Sequence, residues 1–526
     1  MSLRWMSWLD ALILFFFFFL IWLRLDPFHT ALTMDPAIYA YMAQQAAAGN
    51  PPHLTVYEVK SSLSVLLGAL AIHAGARLNL PEIFSLRLYM LVVTALGMVA
   101  MLWLGTAFSR LQIVGWLSAL FLASFTAFVG LTVNGVEPKA VMLLFSLVAL
   151  LALTRRAWFW AGVAAACAGL AWQIGMGYVA LALLLAFAQN DHARARLDAA
   201  GRVLLGALLP AAAYSLYFVT HGAAQAAFEQ NVLVPFFSKS SQLRLGDLMF
   251  SRMVKIFVTD YRNQIPIGVL AIVGWLGWWW YTLRSRERFV FYFIKNPRTS
   301  GTLLALHGLF LYSLLDFQSY PDWIPLLPFV ALLASGALVV LFLRLARRVP
   351  LLSAHRSLAL GALGVVLLLW VNQELVAAPQ TKLTLQDQMR VAAELNERLG
   401  AANPVWILGK NELLFFMRRQ NPNRYTFLLT NTDAVIERIE PGGFAGMLAR
   451  TRAAAPALIV TSRLRRKHLA DPRNYDRLAE WIAAEYVPLR VCAGGGNFFA
   501  RADLASTLFA FHADHSLDNC IRLARQ

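Results

Sequence analysis

Eleven apolar runs, each close to the length of a membrane crossing, alternate along the chain with polar connections. A helix needs about 20 residues to span a hydrocarbon layer of ~30 Å. The runs cover residues 9–25, 86–107, 112–132, 138–154, 157–173, 174–189, 202–220, 264–283, 301–315, 324–345 and 357–376. Only Gln173 and its glycine neighbours divide 157–173 from 174–189. The first run contains five consecutive phenylalanines and ends in "WLRLDP". Arg24 and Asp26 stand where a cleaved signal peptide would carry small residues, so a retained first helix is expected.

The connection 26–85 is unusually long and has its own pattern. Tyr39, Met42 and Ala46 fall on one helical face, and Leu63, Leu66, Leu67 and Leu70 form an apolar stripe. Two helices lying along the membrane surface are predicted there. After about residue 377 the periodicity changes. "TLQDQMRVAAELNERLG" reads as an amphipathic helix stopped by Gly400, and "PVWILG", "TFLLT", "ALIVTS" and "YVPLRVCAG" are short apolar runs between helical patterns such as "DRLAEWIAAEY". This alternation predicts an α/β domain with a partly parallel sheet. It holds no GxGxxG and no Walker sequence, and "CAGGGNFFA" reads as a tight hairpin. The expected organisation is a polytopic α-helical membrane domain over residues 1–376, with outer loop 26–85 carrying interfacial helices, and a soluble extracytoplasmic α/β domain over residues 377–526.

Composition supports the membrane reading. The 526 residues are 59% hydrophobic and 14% charged, with mean hydropathy +0.57, which excludes an ordinary soluble globule. A net charge of +17 would point to nucleic acid in a soluble chain, but here many cations sit in short connections between apolar runs. Arg110; Arg155 and Arg156; Arg194, Arg196 and Arg202; Arg284, Arg286, Arg288, Lys295 and Arg298; and Arg344, Arg347, Arg348 and Arg356 mark every second connection as cytoplasmic. The N-terminus is then inside. Connections 26–85, 134–139, 221–263 and 316–322, and the C-terminal region, are outside. The short loops and their charge pattern predict a bacterial inner membrane. Cys167 lies in an apolar run, whereas Cys492 and Cys520 lie in the outer region, either as a disulfide or as two free thiols.

Ionisable residues gather in the outer connections. Asp35 precedes Pro36, the pattern of a helix N-cap, so a capping role alone accounts for it. Its company argues for more: Glu58 and Lys60 share its loop, Glu137 and Lys139 stand in the next, and Asp316, Tyr320 and Asp322 in another. Such groups at one membrane face are expected to meet in a single water-filled cavity. Glu137, in "VEPK", also fits an ordinary helix start. Arg244, Arg252, Lys255 and Arg262 give connection 221–263 a positive charge suited either to an anionic lipid head or to an interfacial helix. His53, alone in a polar loop, is expected to be solvated, and "HADH" at His512 and His515 lacks a third ligand nearby.

Asp35 just after the first apolar run, Tyr39 four residues on, Gly49, and "KSSL" at Lys60 to Leu63 together resemble the first outer loop of GT-C glycosyltransferases, a group that includes protein O-mannosyltransferases and aminoarabinose transferases. Weaker likeness runs through "NGVEPKAVMLLFSLVALLAL", "SYPDWIPLLPFVALLASGAL" and "WILGKNELLFFMRRQNPNRYTFLL". Pro36, Ser61 and Ser62 depart from the family pattern, which often has an acid after the aspartate and two prolines after the lysine. The resemblance implies a GT-C fold and transfer of a sugar, hexosyl or pentosyl, from a polyprenyl-phosphate carrier to an acceptor hydroxyl, with inversion. It implies Asp35 as base and Lys60 as a ligand of the lipid phosphate, with Arg262 a second phosphate candidate. Tyr39, Glu58, Glu137, Tyr320 and Asp322 become substrate or metal candidates, and a divalent metal would lie between Asp35 and Glu137. Two rivals stand beside it. A transporter or flippase of a lipid-linked or anionic substrate would carry internal repeats and mid-membrane charges, which the chain lacks. A scaffold would work through the C-terminal domain alone.

Overall fold

The computed structural model describes residues 8–235, 249–284, 296, 298–348, 373, 383–428, 432–462, 464–489 and 497–508. Ten of the eleven apolar runs form helices; the eleventh, 357–376, lies outside the described residues except Gln373. In chain order the helical part comprises α1 (Trp8–Trp22), α2 (Met34–Ala47), α3 (Leu63–Arg77), α4 (Glu82–Ser109), α5 (Gln112–Ala123), α6 (Thr126–Asn134), α7 (Pro138–Thr154), α8 (Trp158–Ala171), α9 (Gly177–Ala188), α10 (Ala193–Thr220), α11 (Ala224–Phe228), α12 (Phe250–Asp260), α13 (Ile265–Arg284), α14 (Ser300–Leu315) and α15 (Leu327–Arg348). Four described helices are long and apolar enough to cross a membrane: α4, α10, α15 and α13 with the turn before it. Run 112–132 is broken into α5 and α6, which bend by 68° and make a fifth crossing if they are one span. The run placed at 202–220 begins earlier, at Ala193, because its arginine-rich connection continues as helix.

Helices α8 and α10 approach backbone to backbone. A methyl group added at Gly162 would sit 2.1 Å from the Val203 carbonyl oxygen, and one at Gly206 would sit 2.1 Å from that of Phe159. Only glycine permits this reciprocal contact, the small-residue packing typical of helices that meet in lipid.

The two helices of connection 26–85 differ. On α3 Leu70 is 63% exposed, Leu66 and Leu67 are half-buried against neighbouring buried clusters, and Ser64, Gly68 and Gly75 turn inward. Helix α2 departs from expectation: Tyr39, Tyr41, Met42 and Ala43 are all buried, because a second unit covers them.

That unit begins with α16 (Leu385–Leu399), capped by Thr384 and Asp387 and ended by Gly400 at φ +59°. It continues through β1 (Val405–Leu408), α17 (Asn411–Met417), α18 (Thr432–Ile439), α19 (Gly443–Ala453), β2 (Leu458–Thr461), α20 (Pro472–Glu485), β3 (Tyr486–Leu489), β4 (Asn497–Arg501) and α21 (Ala502–Leu508). The sheet runs β1-β2-β4-β3, with β1 and β2 parallel and the other pairs antiparallel. Thr426–Leu428, in the predicted run "TFLLT", form no strand; the fourth strand is "NFFAR". One face of the sheet shares a core with α2 and α3, through Val405, Ile407, Leu458 and Val460. The other packs Trp406, Leu408 and Ile459 with Tyr57 of the outer loop. Segment 29–32 is tied to α16 by Leu385 N donating to His29 O at 2.7 Å and by the Gln388 amide, which bonds both the Leu32 N–H and its carbonyl.

Candidate active site

The start of α2 is fixed by Asn134, at the end of α6. Asn134 Oδ1 accepts from the Thr33 backbone N–H (2.9 Å) and hydroxyl (3.1 Å), and its Nδ2 donates to Ala31 O (2.7 Å). The fully buried Arg87 on α4 donates to the carbonyls of Pro27, Thr30 and Asn134. Connections 26–85 and 134–139 are thereby locked together. Neither residue was singled out by motif, although a lone arginine just inside an apolar run is the kind of group that marks such a junction.

Asp35 is therefore not the helix cap. Thr33 occupies the cap position, and Asp35 is the second helical residue, exposed, with no hydrogen bond or ion pair to its carboxylate among the described residues. One turn later the buried Tyr39 hydroxyl accepts from Lys60 Nζ at 2.6 Å. Lys60 N donates to the buried Glu58 carboxylate at 3.1 Å. From connection 134–139 comes Glu137, the N-cap of α7, whose carboxylate accepts from Lys139 N at 3.1 Å. Lys139 Nζ reaches Asp322 Oδ1 at 2.7 Å and lies over the Trp172 ring. Asp322 is engaged on both oxygens, since its Oδ2 accepts from the N–H groups of Gln318 (2.7 Å) and Ser319 (3.0 Å). It forms a strut between connections 134–139 and 316–322. Beside it, Tyr320 O accepts from the Tyr261 hydroxyl at 3.0 Å.

The charges act on one another as a cluster. Burial pushes the Tyr39 hydroxyl well above its ordinary range, and Glu58, Asp35 and Glu137 add to this while Lys60 opposes it. Burial also raises Glu58 and Glu137, against the pull of Lys60 on the first and of Lys139 and Lys60 on the second. For Lys60, burial favours the neutral amine, but Tyr39, Glu58, Asp35 and Glu137 outweigh it and hold the ammonium charged. Tyr320 is pushed up to about 12 by burial, then by Glu137 and Asp35. Asp322 is held below its ordinary value: burial works against ionisation, but Lys139 and the backbone donors of its turn prevail. Asp35, Tyr39, Glu58, Lys60, Glu137 and Tyr320, from three connections, thus influence one another's charge, and Lys60 and Tyr39 are joined by a side-chain hydrogen bond.

Other expected groups fall elsewhere. Arg262 is exposed on the 3-10 turn Arg262–Gln264, next to Tyr261. Arg252 donates to Gln318 O at 2.5 Å. Arg244, Cys492, Cys520, His512 and His515 lie outside the described residues. Among the described residues no three His, Cys, Asp or Glu side chains gather as metal ligands. Asp35 and Glu137 offer two carboxylates, short of the three protein ligands usual in a catalytic zinc site. His53, expected in solvent, is fully buried. Its Nδ1 meets Gln230 Oε1 at 3.2 Å, and its Nε2 meets Ser62 Oγ at 2.7 Å and Asn231 Nδ2 at 3.2 Å.

No family model and no curated protein matches the sequence. Solved structures do match the fold. ArnT from Cupriavidus metallidurans bound to undecaprenyl phosphate superposes with a TM-score of 0.56 at 14% identity, over 93% of this chain and 97% of that one. Its apo form gives 0.55 at 14% identity, over 94% and 98%. An oligosaccharyltransferase from Archaeoglobus fulgidus, in complex with zinc and sulfate, gives 0.53 at 14% identity, over 93% of this chain and 73% of that one. Over 93–94% of its length the chain shares the fold of these structures.

Proposed function

We propose that the protein is an inverting glycosyltransferase that moves a sugar from a polyprenyl-phosphate carrier to an acceptor hydroxyl, at the outer face of a bacterial inner membrane. The observation that carries this reading is the pairing of an exposed carboxylate with no hydrogen-bond partner among the described residues, Asp35, with a charged, partly buried ammonium that feels its charge, Lys60. A one-step inversion needs those two functions on opposite sides of the anomeric carbon. The undecaprenyl phosphate bound by the structurally similar ArnT supports a polyprenyl-phosphate donor here.

Lys60, steadied by Tyr39, takes the donor phosphate, a charge-assisted contact that strengthens as the phosphate departs. The acceptor oxygen attacks the anomeric carbon while the bond from that carbon to the phosphate oxygen breaks. The hydroxyl proton passes to Asp35 and the polyprenyl phosphate leaves. Aspartate is a weak base, so it takes the proton late, once bond formation has acidified the hydroxyl. Tyr320 and Glu137 line the same place and serve acceptor or sugar, and exposed Arg262 offers a second cation to the approaching donor. These steps use the chain's own groups alone. Packed over α2, the C-terminal unit bounds the space open to the acceptor.

Mass spectrometry of glycolipids and glycans from cells carrying the wild-type protein or Asp35→Asn, matched for expression, tests the proposal. Accumulation of a polyprenyl-phosphate sugar with loss of one glycosylated product is expected, and the lost product identifies the acceptor. Unchanged profiles would overturn it.

A further inference from the structure

The segment that carries Glu58 and Lys60 has no regular secondary structure of its own, yet its backbone is held at nearly every step. Tyr57 N donates to Arg424 O at 2.6 Å, Glu58 N to Gln230 Oε1 at 3.0 Å, Lys60 N to Glu58 Oε1 at 3.1 Å and Ser62 N to the Tyr214 hydroxyl at 2.9 Å. Gln173 Nε2 donates to the Val59 carbonyl. The hub of this scaffold is buried His53, whose backbone sits at φ +70°. Its surroundings fix both its charge and its tautomer. Gln230 Nε2 donates to His53 O at 2.8 Å, so Gln230 Oε1 is an acceptor shared by Glu58 N–H and His53 Nδ1–H. Nε2 is left as the acceptor for the hydroxyl of Ser62 and the amide of Asn231. Asn231 Nδ2 also reaches the Tyr214 hydroxyl at 3.3 Å, which closes the network. Gln230 and Asn231 lie in a π-helical turn, Glu229–Leu233, a departure from α-helical winding that often accompanies functional sites.

We propose that His53 is a positioning residue for Lys60: through Gln230 on one side and Ser62 on the other, its neutral imidazole holds the loop in the register that places the ammonium against Tyr39. A scaffold built only for stability would not need to grip both ends of the segment bearing the one ammonium bonded to Tyr39. The inference rests on the reading of Lys60 as the donor-phosphate ligand. It adds that the affinity of Lys60 for phosphate is set from His53, outside the cluster.

The test uses full-length protein in nanodiscs and undecaprenyl phosphate as the probe, with affinity followed by tryptophan fluorescence. His53→Gln keeps an acceptor near Ser62 but loses the donor to Gln230, and Ser62→Ala, which deletes the hydroxyl bond to His53, and Tyr214→Phe, which deletes the acceptor of Ser62 N–H and Asn231 Nδ2, serve should His53→Gln fail to fold. About tenfold weaker binding is expected for His53→Gln and a few-fold loss for the other two. In a Lys60→Met background the same changes should have no further effect, a non-additivity that general loss of stability would not produce. Wild-type affinity in all three folded variants, or full additivity with Lys60→Met, would overturn the inference. Wild-type affinity in Lys60→Met alone would instead overturn the assignment of Lys60 on which it rests.

Discussion

Lys60 Nζ donates to the Tyr39 hydroxyl at 2.6 Å, a contact between the irregular segment of connection 26–85 and the buried face of α2. Three neighbouring acids hold the ammonium charged without any of their carboxylates being a hydrogen-bond partner of Nζ. A cation held in this way keeps capacity for an incoming anion. Lys60→Met is expected to weaken undecaprenyl phosphate binding about a hundredfold, from the roughly 1.5–3 kcal/mol of a charge-assisted bond. Tyr39→Phe keeps the charge but frees the side chain, and about a tenfold loss is expected. Equilibrium binding in nanodiscs measures both.

The Lys139–Asp322 pair ties connection 134–139 to the turn before α15, with side-chain exposures of 7% and 17%. Removing one partner leaves the other charge buried, a change that costs about 3 kcal/mol or more. Asp322→Asn is expected to lower thermal stability clearly, whereas the double change Lys139→Met/Asp322→Asn, which leaves no buried charge and keeps an acceptor for the Gln318 and Ser319 N–H groups, should recover much of it. Light-scattering or dye-based melting of purified protein reads the difference. Equal melting temperatures for wild type and Asp322→Asn would remove the strut from the account.

Acid should weaken the loop through His53. Burial lowers its pKa to about 4, with the charge of Arg424 acting in the same sense and the contacts to Gln230 and Glu58 opposing it. An unfolded histidine titrates near 6.5. Between those values the unfolded chain holds a proton that the folded chain does not, so stability is complete above about pH 6.5 and falls as the pH drops toward 4, by at most about 1.4 kcal/mol per pH unit. Melting curves at pH 7.5, 6, 5 and 4.5 should show this slope for wild type and a shallower one for His53→Asn. Identical slopes would mean that other groups carry the acid sensitivity.

Apolar periodicity exposed the helices because lipid selects for length and hydropathy, which are written locally in each run. The same local pattern could not tell that α2 is covered by the C-terminal unit, since Tyr39 and Met42 suit lipid and protein equally. The candidate residues were legible as unusual ionisable groups in the connections between apolar runs. What the pattern concealed were the groups whose partners lie far away in sequence: Asn134 with Thr33, Lys139 with Asp322, and His53 with Gln230, 177 positions on. Short-range rules assign such groups to caps, turns or solvent. For Asp35 this error is instructive: α2 begins at Met34, ahead of the Asp-Pro signal, and its N-cap Thr33 is held by Asn134 from a distant connection.

Asp35 can therefore be removed without touching the helix it was expected to cap. An exposed carboxylate that makes no hydrogen bond within the described chain is repelled by Glu58 and Glu137 and attracted by Lys60, influences that oppose one another. Surface changes of this kind alter stability by no more than about 0.5 kcal/mol. Asp35→Asn is expected to melt close to the wild-type temperature and to bind undecaprenyl phosphate normally, while transfer to the acceptor falls by at least a hundredfold, the scale of a lost general base. Asp35→Glu, which keeps the carboxylate but moves it by a methylene, should recover part of the rate and none of the stability difference. The three measurements together separate base from cap: a cap would lose stability in Asp35→Asn and keep its rate, which is the opposite of what an unpartnered carboxylate at this place predicts.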